Sequence, residues 1–133
     1  MKTFKQFISE SIIPKKSLAG DEGEIIDHNG GYIDIRKKTD ASPRSQSVIG
    51  FQVPEEKRGQ GIGDALVKKA KEKYNDLGAQ VSSLASLKVF HNNGFRHPNL
   101  PNGSFEDHKK EFENNWGSLF VAHKDQHGKP YVS

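Results

Sequence analysis

The chain has 133 residues, of which 32% are hydrophobic and 28% charged, a composition typical of one soluble domain with its own core. No apolar run approaches the roughly 20 residues of a membrane span. The absence of cysteine excludes a disulfide scaffold and a thiol nucleophile, and it fits a reducing compartment such as the cytoplasm. The net charge of +3 comes from dispersed basic residues, so we expect a ligand with several phosphates rather than a nucleic acid.

Residues 1–20 differ from the rest of the chain. Apolar residues recur there at helical spacing until Pro14 breaks the pattern, which predicts a short amphipathic leader. The apolar positions are Phe4, Phe7, Ile8 and Ile12. A domain is predicted over residues 21–124, followed by a polar tail at 125–133.

Residues 1–10 resemble the N-termini of many proteins of large tailed bacteriophages. In internal head proteins of some such phages, a similar leader directs packaging and is cut after a hydrophobic-x-Glu triplet, which Ile8-Ser9-Glu10 matches. The resemblance implies a phage origin, a location in the host cytoplasm or the virion head, and phage head proteins as partners.

Three strands are predicted before the middle of the chain. Residues 24–27 and 32–36 flank the Asn29-Gly30-Gly31 turn, which favours a hairpin. A polar loop at 37–46 leads to the third strand at 47–53.

A glycine-rich turn, Arg58-Gly59-Gln60-Gly61-Ile62-Gly63, follows the third strand and opens a helix. The unpaired N–H groups and the positive dipole end of a helix N-terminus favour an anion, most often a phosphate. A Walker A loop is excluded because Asp64 stands where Lys-Ser or Lys-Thr is needed. A dinucleotide fingerprint is excluded by the glycine spacing and by the lack of an acidic residue after the next strand. Without further evidence the turn is equally compatible with a tight strand-to-helix connection.

The second half of the chain is predicted to alternate helices and strands. A helix over 62–77 is closed by Gly78, a strand covers 80–83, and a helix covers 84–92 with Gly94 as its left-handed cap. A short strand, a helix from Phe105 to about Asn115 and a last strand over 118–123 complete the domain. Ser104 and Asp107 form the capping box of that helix.

The pattern R-x-x-G-x-G after an apolar strand resembles motif A of the GNAT superfamily of acyl-CoA-dependent N-acetyltransferases, with Arg58, Gly61 and Gly63 at its defining positions. Ser86 to Phe95 resembles motif B of the same family, a helix that ends in Gly-Phe. The resemblance covers residues 48–96. It implies an α+β fold with a mixed, mostly antiparallel central sheet, helices on both faces and a shortened N-terminal part.

The resemblance implies acetyl-CoA as the co-substrate and direct transfer of its acetyl group to an amine acceptor, a small molecule or a protein. The main chain of the strand before the turn would pair with the pantetheine arm, the N–H groups of the turn would hold the pyrophosphate, and Ser86 would lie near the cofactor. The implied binding residues are Phe51, Gln52, Val53, Arg58, Gly59, Gln60, Gly61, Ile62, Gly63, Asp64 and Ser86.

The catalytic positions depart from the family pattern. The acidic base that many relatives carry near the end of the motif-A strand is replaced by Val48-Ile49-Gly50, and the tyrosine acid of motif B is replaced by Phe90. His91 is the predicted substitute, since imidazole titrates in the required range. Its alternative is a surface histidine, because it points about 100° from Phe90 on a helix. The alternative function is therefore a catalytically impaired protein of the same fold that binds CoA or acts in virion or host interactions. The histidines lack metal-ligand spacing, so no metal is expected.

Overall fold

The computed structural model describes residues 13–37, 46–74 and 76–123. Its central element is a five-stranded sheet in the order β1-β2-β3-β4-β5, in which only β3 and β4 are parallel. The strands are β1 Gly23–His28, β2 Gly31–Arg36, β3 Gln46–Gln52, β4 Leu77–Val81 and β5 Leu119–Ala122. The predicted α+β class and the mixed, mostly antiparallel sheet are confirmed.

In the described ranges, three α-helices accompany the sheet, α1 Ile62–Lys73, α2 Leu84–Asn92 and α3 Phe105–Asn114. The first hairpin is closed by Asn29 and Gly30, whose positive φ angles of 48° and 90° form a type I′ turn. The predicted bounds of α2 and the capping box of α3 are confirmed, since the Ser104 side chain and the Asp107 side chain each bind the other's backbone N–H.

Helix α1 ends earlier than its sequence pattern predicts. The apolar spacing continues through Tyr74 to Leu77, but the chain is already extended at Tyr74. Leu77 begins β4, and Gly78 pairs with Ala122 instead of capping the helix. The prediction that Gly78 closes α1 is wrong because residues 77–79 and Val81 are buried in the sheet, which outweighs helical spacing. For the same reason β4 spans Leu77–Val81 and not 80–83.

The apolar core lies on one face of the sheet. Ile33 and Ile35 of β2 face α1 there, and Phe51 of β3 meets Phe90 of α2 edge to face, with ring centroids 5.3 Å apart. Helices α1 and α2 also pack against each other, and Phe112 of α3 joins the same core.

The opposite face of β2 carries Tyr32 and Asp34, and Asp34 is covered by Ser17 and Leu18. Within the described residues no helix precedes β1 except a single 3-10 turn at Gly20–Glu22. Helices α1 and α2 lie in contact with each other, and α1 packs on β1 and β2.

The short strand predicted after Phe95 is reduced to one bridge between Arg96 and Ala122. The amphipathic leader and the polar tail fall mainly on residues 1–12 and 124–133, which lie outside the described ranges. Across the part of the chain that the structure describes, none of the helices has the length and apolar character needed to cross a bilayer.

Candidate active site

Strands β3 and β4 diverge, and this divergence forms the candidate site. Their parallel pairing is limited to Gln46, Ser47 and Val48 of β3. After a register shift at Ile49, residues 50–52 of β3 continue the pairing with β2 on one side but have no ladder partner in β4. The main chain of Phe51 and Gln52 therefore borders a gap, as the resemblance to motif A implied.

The glycine-rich turn lies at the end of β3, directly beside this gap. Gly59 and Gly61 have φ angles of 84° and 78°, a conformation that residues with a Cβ atom adopt only at a cost. A Cβ atom at either position would meet nothing within 4 Å. The two glycines are therefore required by backbone conformation, and the space around them is open to a ligand.

The N–H groups at the start of α1 point out of the helix without protein acceptors. The first α1 bond runs from the Ala65 N–H to the Gly61 carbonyl, and Gly61 caps the helix without any side-chain bond. Within the described ranges, the N–H groups of Ile62, Gly63 and Asp64 have no protein acceptor. This is the arrangement that holds a phosphate at a helix N-terminus.

Basic side chains fix the loop that leads into the turn. The Arg58 Nε donates to the Val53 carbonyl at 3.3 Å, so the guanidinium lies along the end of β3. Lys57 donates from its Nζ to the Asn29 carbonyl at 3.1 Å and ties the loop to the β1–β2 turn. Arg58 and the neighbouring Gln60 are exposed at the mouth of the turn.

Asp64 links α1 to the end of α2. Its carboxylate is 2.7 Å from the Lys68 Nζ and accepts a 2.9 Å hydrogen bond from the buried Asn93 amide. The Lys68 hydrogen bond, followed by that from Asn93, lowers the pKa of Asp64. The side chain is thus an ionised structural link, and only its main-chain N–H is available to an anion.

The N–H and the hydroxyl of Ser86 both form hydrogen bonds within the N-terminal cap of α2. The Ser83 hydroxyl accepts from the Ser86 N–H at 3.1 Å, and the Ser86 hydroxyl donates to the Ser83 carbonyl at 3.0 Å. Ser83 is therefore the N-cap of α2, and Ser86 reaches a cofactor only by exchanging that bond.

Phe90 and His91 point in different directions, as their adjacent positions on a helix require. Phe90 is buried between Phe51 and Phe95 and has no hydroxyl to offer. His91 hydrogen-bonds through Nε2 to the Gly103 carbonyl at 3.0 Å, and its ring centroid lies 4.9 Å from that of His108. The His91 ring therefore lies against α3 and the loop before it. The Phe90 ring, which faces Phe51, lies on a different side of α2.

The strand β2 brings two polar residues to this region that the sequence analysis did not select. A Cβ atom placed on Gly50 would lie 3.3 Å from Asp34 Cβ and 3.8 Å from the Tyr32 hydroxyl oxygen. Asp34 accepts hydrogen bonds from the Ser17 hydroxyl and the Leu18 N–H at 2.5 and 2.9 Å. Tyr32 has no hydrogen-bond partner among the described residues. The sequence signal that could have identified them is the alternation of Tyr32 and Asp34 with two isoleucines in β2, the strand that pairs with β3.

No protein family description and no curated protein matches the sequence. Among solved structures, nourseothricin acetyltransferase is similar at 18% identity and a TM-score of 0.50, over 84% of this chain and 67% of that one. N-acetylglutamate synthase from Neisseria gonorrhoeae, solved with coenzyme A and N-acetyl-glutamate, gives 18% identity and a TM-score of 0.48, over 90% of this chain and 30% of that one. The first similarity shows that the chain has the fold of an acetyltransferase, as its two sequence motifs predicted.

Proposed function

We propose that the protein is an N-acetyltransferase that moves the acetyl group of acetyl-CoA directly to an amine. The observation that carries this proposal is the gap between β3 and β4, which opens beside the free N–H groups at the start of α1. An extended arm that ends in a pyrophosphate fits this geometry, with the arm along the unpaired main chain of β3 and the phosphates on the turn.

In this proposal, residues 51–53 align the arm through main-chain groups, and the N–H groups from Gly59 to Asp64 hold the pyrophosphate, since the Arg58 N–H already bonds to the Glu55 carbonyl. Arg58 adds a positive charge at the mouth of the turn, where its Nε donates to the Val53 carbonyl. The amine nitrogen forms a bond to the thioester carbon, the carbon–sulfur bond breaks, and the thiolate takes up a proton. The amine must lose a proton, which passes to water in the open gap.

We propose Tyr32 as the group that supplies the proton to the leaving thiolate, in place of the absent motif-B tyrosine. Its hydroxyl lies beside Gly50, within the stretch of β3 that has left β4. A glycine at position 50 keeps this space open, since a side chain there would crowd Asp34 and the Tyr32 ring. His91 can assume such a role only after it releases the Gly103 carbonyl.

Isothermal titration of the full chain with CoA tests the binding step. Arg58→Glu reverses the charge at the turn, and Lys69→Glu makes the same charge change on the exposed side of α1. We expect Arg58→Glu to weaken CoA binding about tenfold or more, since one charge-assisted contact is lost and a repulsion is added. Equal affinities of the two variants would contradict the assignment of the turn.

An amine panel that monitors release of free CoA tests the chemical step. We expect Tyr32→Phe to lower kcat without a matching change in CoA affinity, whereas Tyr74→Phe removes a hydroxyl at the far end of α1 and leaves kcat unchanged. Full activity of Tyr32→Phe would remove Tyr32 from the mechanism.

A second candidate function is a CoA-binding protein without catalysis. It is favoured by the absence of an acid or base at residues 48–50 and by the burial of Phe90. CoA binding with no turnover of any amine in the panel would select this function over the first.

We also propose a phage origin and packaging of the protein into the virion head, with host cytoplasm as the site of its activity. The support is the resemblance of residues 1–10 to phage leaders, which lie outside the described residues. Intact-mass measurement of the protein from virions tests it: loss of the first ten residues supports packaging, and a full-length mass or absence from the particle contradicts it.

A further inference from the structure

A second cavity lies at the other end of α1 from the glycine-rich turn. It has a volume of about 510 Å³ and is lined by the C-terminal end of α2, the loop at residues 101–102, and the end of β5. Lys71 on its wall is nine residues beyond Ile62, roughly 13 Å along the helix axis at about 1.5 Å per residue. The Lys71 side of the cavity therefore lies away from the turn, while Asn93 on its wall also binds the Asp64 carboxylate at the start of α1.

Two cations converge on this cavity. Lys71 donates from its Nζ to the Asn93 carbonyl at 2.5 Å. Arg96 donates from Nη1 to the carbonyls of His91 and Phe95, at 2.7 and 3.0 Å. These carbonyls belong to the C-terminal end of α2, where cations are favourable because they meet the negative end of the helix dipole.

The helix end does not account for both charges. Main-chain carbonyls are neutral acceptors, and across the described ranges neither Lys71 nor Arg96 pairs with a carboxylate. Burial lowers the pKa of the Arg96 guanidinium, because desolvation disfavours its charged form. The Nε and Nη2 donors of Arg96 have no acceptor within the described part of the chain.

The cavity is also held rigidly. The Arg96 main chain makes a two-bond bridge to Ala122, with N–O distances of 2.7 and 2.9 Å. Gly94 forms part of the wall, and its φ of 87° is a backbone conformation that strains any residue with a Cβ atom. The cationic donors are therefore fixed in place before a ligand arrives, which lowers the entropic cost of binding.

We propose that this cavity binds a small oxyanion, the phosphate or carboxylate group of a ligand, between Lys71 and Arg96. A planar guanidinium presents paired N–H donors to two oxygens of such a group, and an ammonium supplies a third contact. The inference is independent of acetyl-CoA binding, because it uses neither β3 nor the turn.

Amide shifts of the 15N-labelled full chain test the proposal at constant ionic strength, with sodium phosphate in one titration and sodium acetate in another. We expect saturable shifts at Gly94 and Asn102 with at least one anion, and the anion that saturates identifies the oxyanion preferred. Shifts at Gly59 and Gly61 report separately on the turn. Non-saturating shifts at Gly94 and Asn102 with both anions overturn the proposal, whatever happens at the turn.

Charge variants locate the site. We expect Lys71→Met to weaken the response at Gly94 about tenfold or more, whereas Lys69→Met removes the same charge from the exposed face of α1 and leaves it unchanged. Arg96→Lys retains a cation but not the planar fork, so it provides a folded second variant that should also weaken binding. Equal responses of Lys71→Met and Lys69→Met would show that the cavity is not the binding site.

Discussion

Trp116 offers a prediction that runs against the usual effect of removing a tryptophan. Helix α3 ends in a Schellman motif, in which the Gly117 N–H bonds to the Phe112 carbonyl at 3.0 Å and the Trp116 N–H to the Glu113 carbonyl at 3.3 Å. Trp116 occupies the left-handed position of this motif at φ 61°, where glycine is preferred. Its side chain is 99% exposed, so it gains no burial in return.

The structure sets the magnitude. A residue with a Cβ atom in the left-handed region costs about 1–2 kcal/mol, and glycine returns about 0.5–1 kcal/mol of that through the greater freedom of the unfolded chain. We therefore expect Trp116→Gly to stabilise the fold by about 0.5–1 kcal/mol, a rise in melting temperature of roughly 2–4 °C for a domain of this size. Trp116→Ala removes the indole but keeps the strain, so it should lie within about 0.5 kcal/mol of the wild type.

Helix α2 supplies the reverse experiment within the same chain. It ends in the same motif, with Gly94 at the left-handed position and the Phe95 N–H bonded to the Phe90 carbonyl at 3.0 Å. A Cβ atom at Gly94 would make only an ordinary 3.8 Å contact with the Lys71 Nζ. Gly94→Ala should therefore lose about 1 kcal/mol from backbone strain alone.

Urea unfolding followed by far-ultraviolet circular dichroism measures these differences, since Trp116 is the sole tryptophan and its fluorescence is lost in the variants. The reasoning is refuted if Trp116→Gly is less stable than the wild type, or if Trp116→Gly and Trp116→Ala are equally stable. Either result would mean that the backbone conformation at this position carries no cost.

Three further predictions concern buried polar groups. Ser17→Ala removes one of the two hydrogen bonds to the buried Asp34 carboxylate, and we expect urea unfolding to show a loss of about 1–3 kcal/mol; unchanged stability would contradict the contact. Burial lowers the pKa of His108 below its ordinary 6.5. As the pH falls through 6.5, only the unfolded chain therefore gains this proton, and the melting temperature should drop between pH 7 and 5.5. A melting temperature that does not change over this range would refute the prediction. Asn93→Asp places a second carboxylate against Asp64 in place of an amide donor; it should be less stable than Asn93→Ala at pH 7 and recover on acidification, and the opposite ranking in thermal melts would disprove the link.

Local signals in the sequence were sufficient for several elements. The Asn29-Gly30 turn, the Ser104 capping box and the Gly94 helix end each depend on a few neighbouring residues whose backbone preferences agree with their tertiary setting. The glycine-rich turn belongs to the same class, because positive φ angles at Gly59 and Gly61 follow from the residue type.

Elements that depend on distant partners were not predicted correctly. Leu77 satisfies both the helical spacing that continues from Tyr74 and the alternating spacing of Leu77, Ala79 and Val81, and pairing of Leu77 and Gly78 with β3 and β5 decides for a strand. The surroundings of the candidate proton donors also depend on distant partners. His91 has suitable chemistry, but the fold commits it to the Gly103 carbonyl, whereas Tyr32 reaches Gly50 only through the register of two strands.

The sequence by itself therefore determined where the glycine-rich turn lies and which fold surrounds it, because glycine conformation and helix capping act over a few residues. The tertiary structure alone decided that β3 separates from β4 after Val48 and that Lys71 and Arg96 share a cavity. Both features arise from contacts between residues that are far apart in the chain. A local sequence pattern does not specify which distant residues come together.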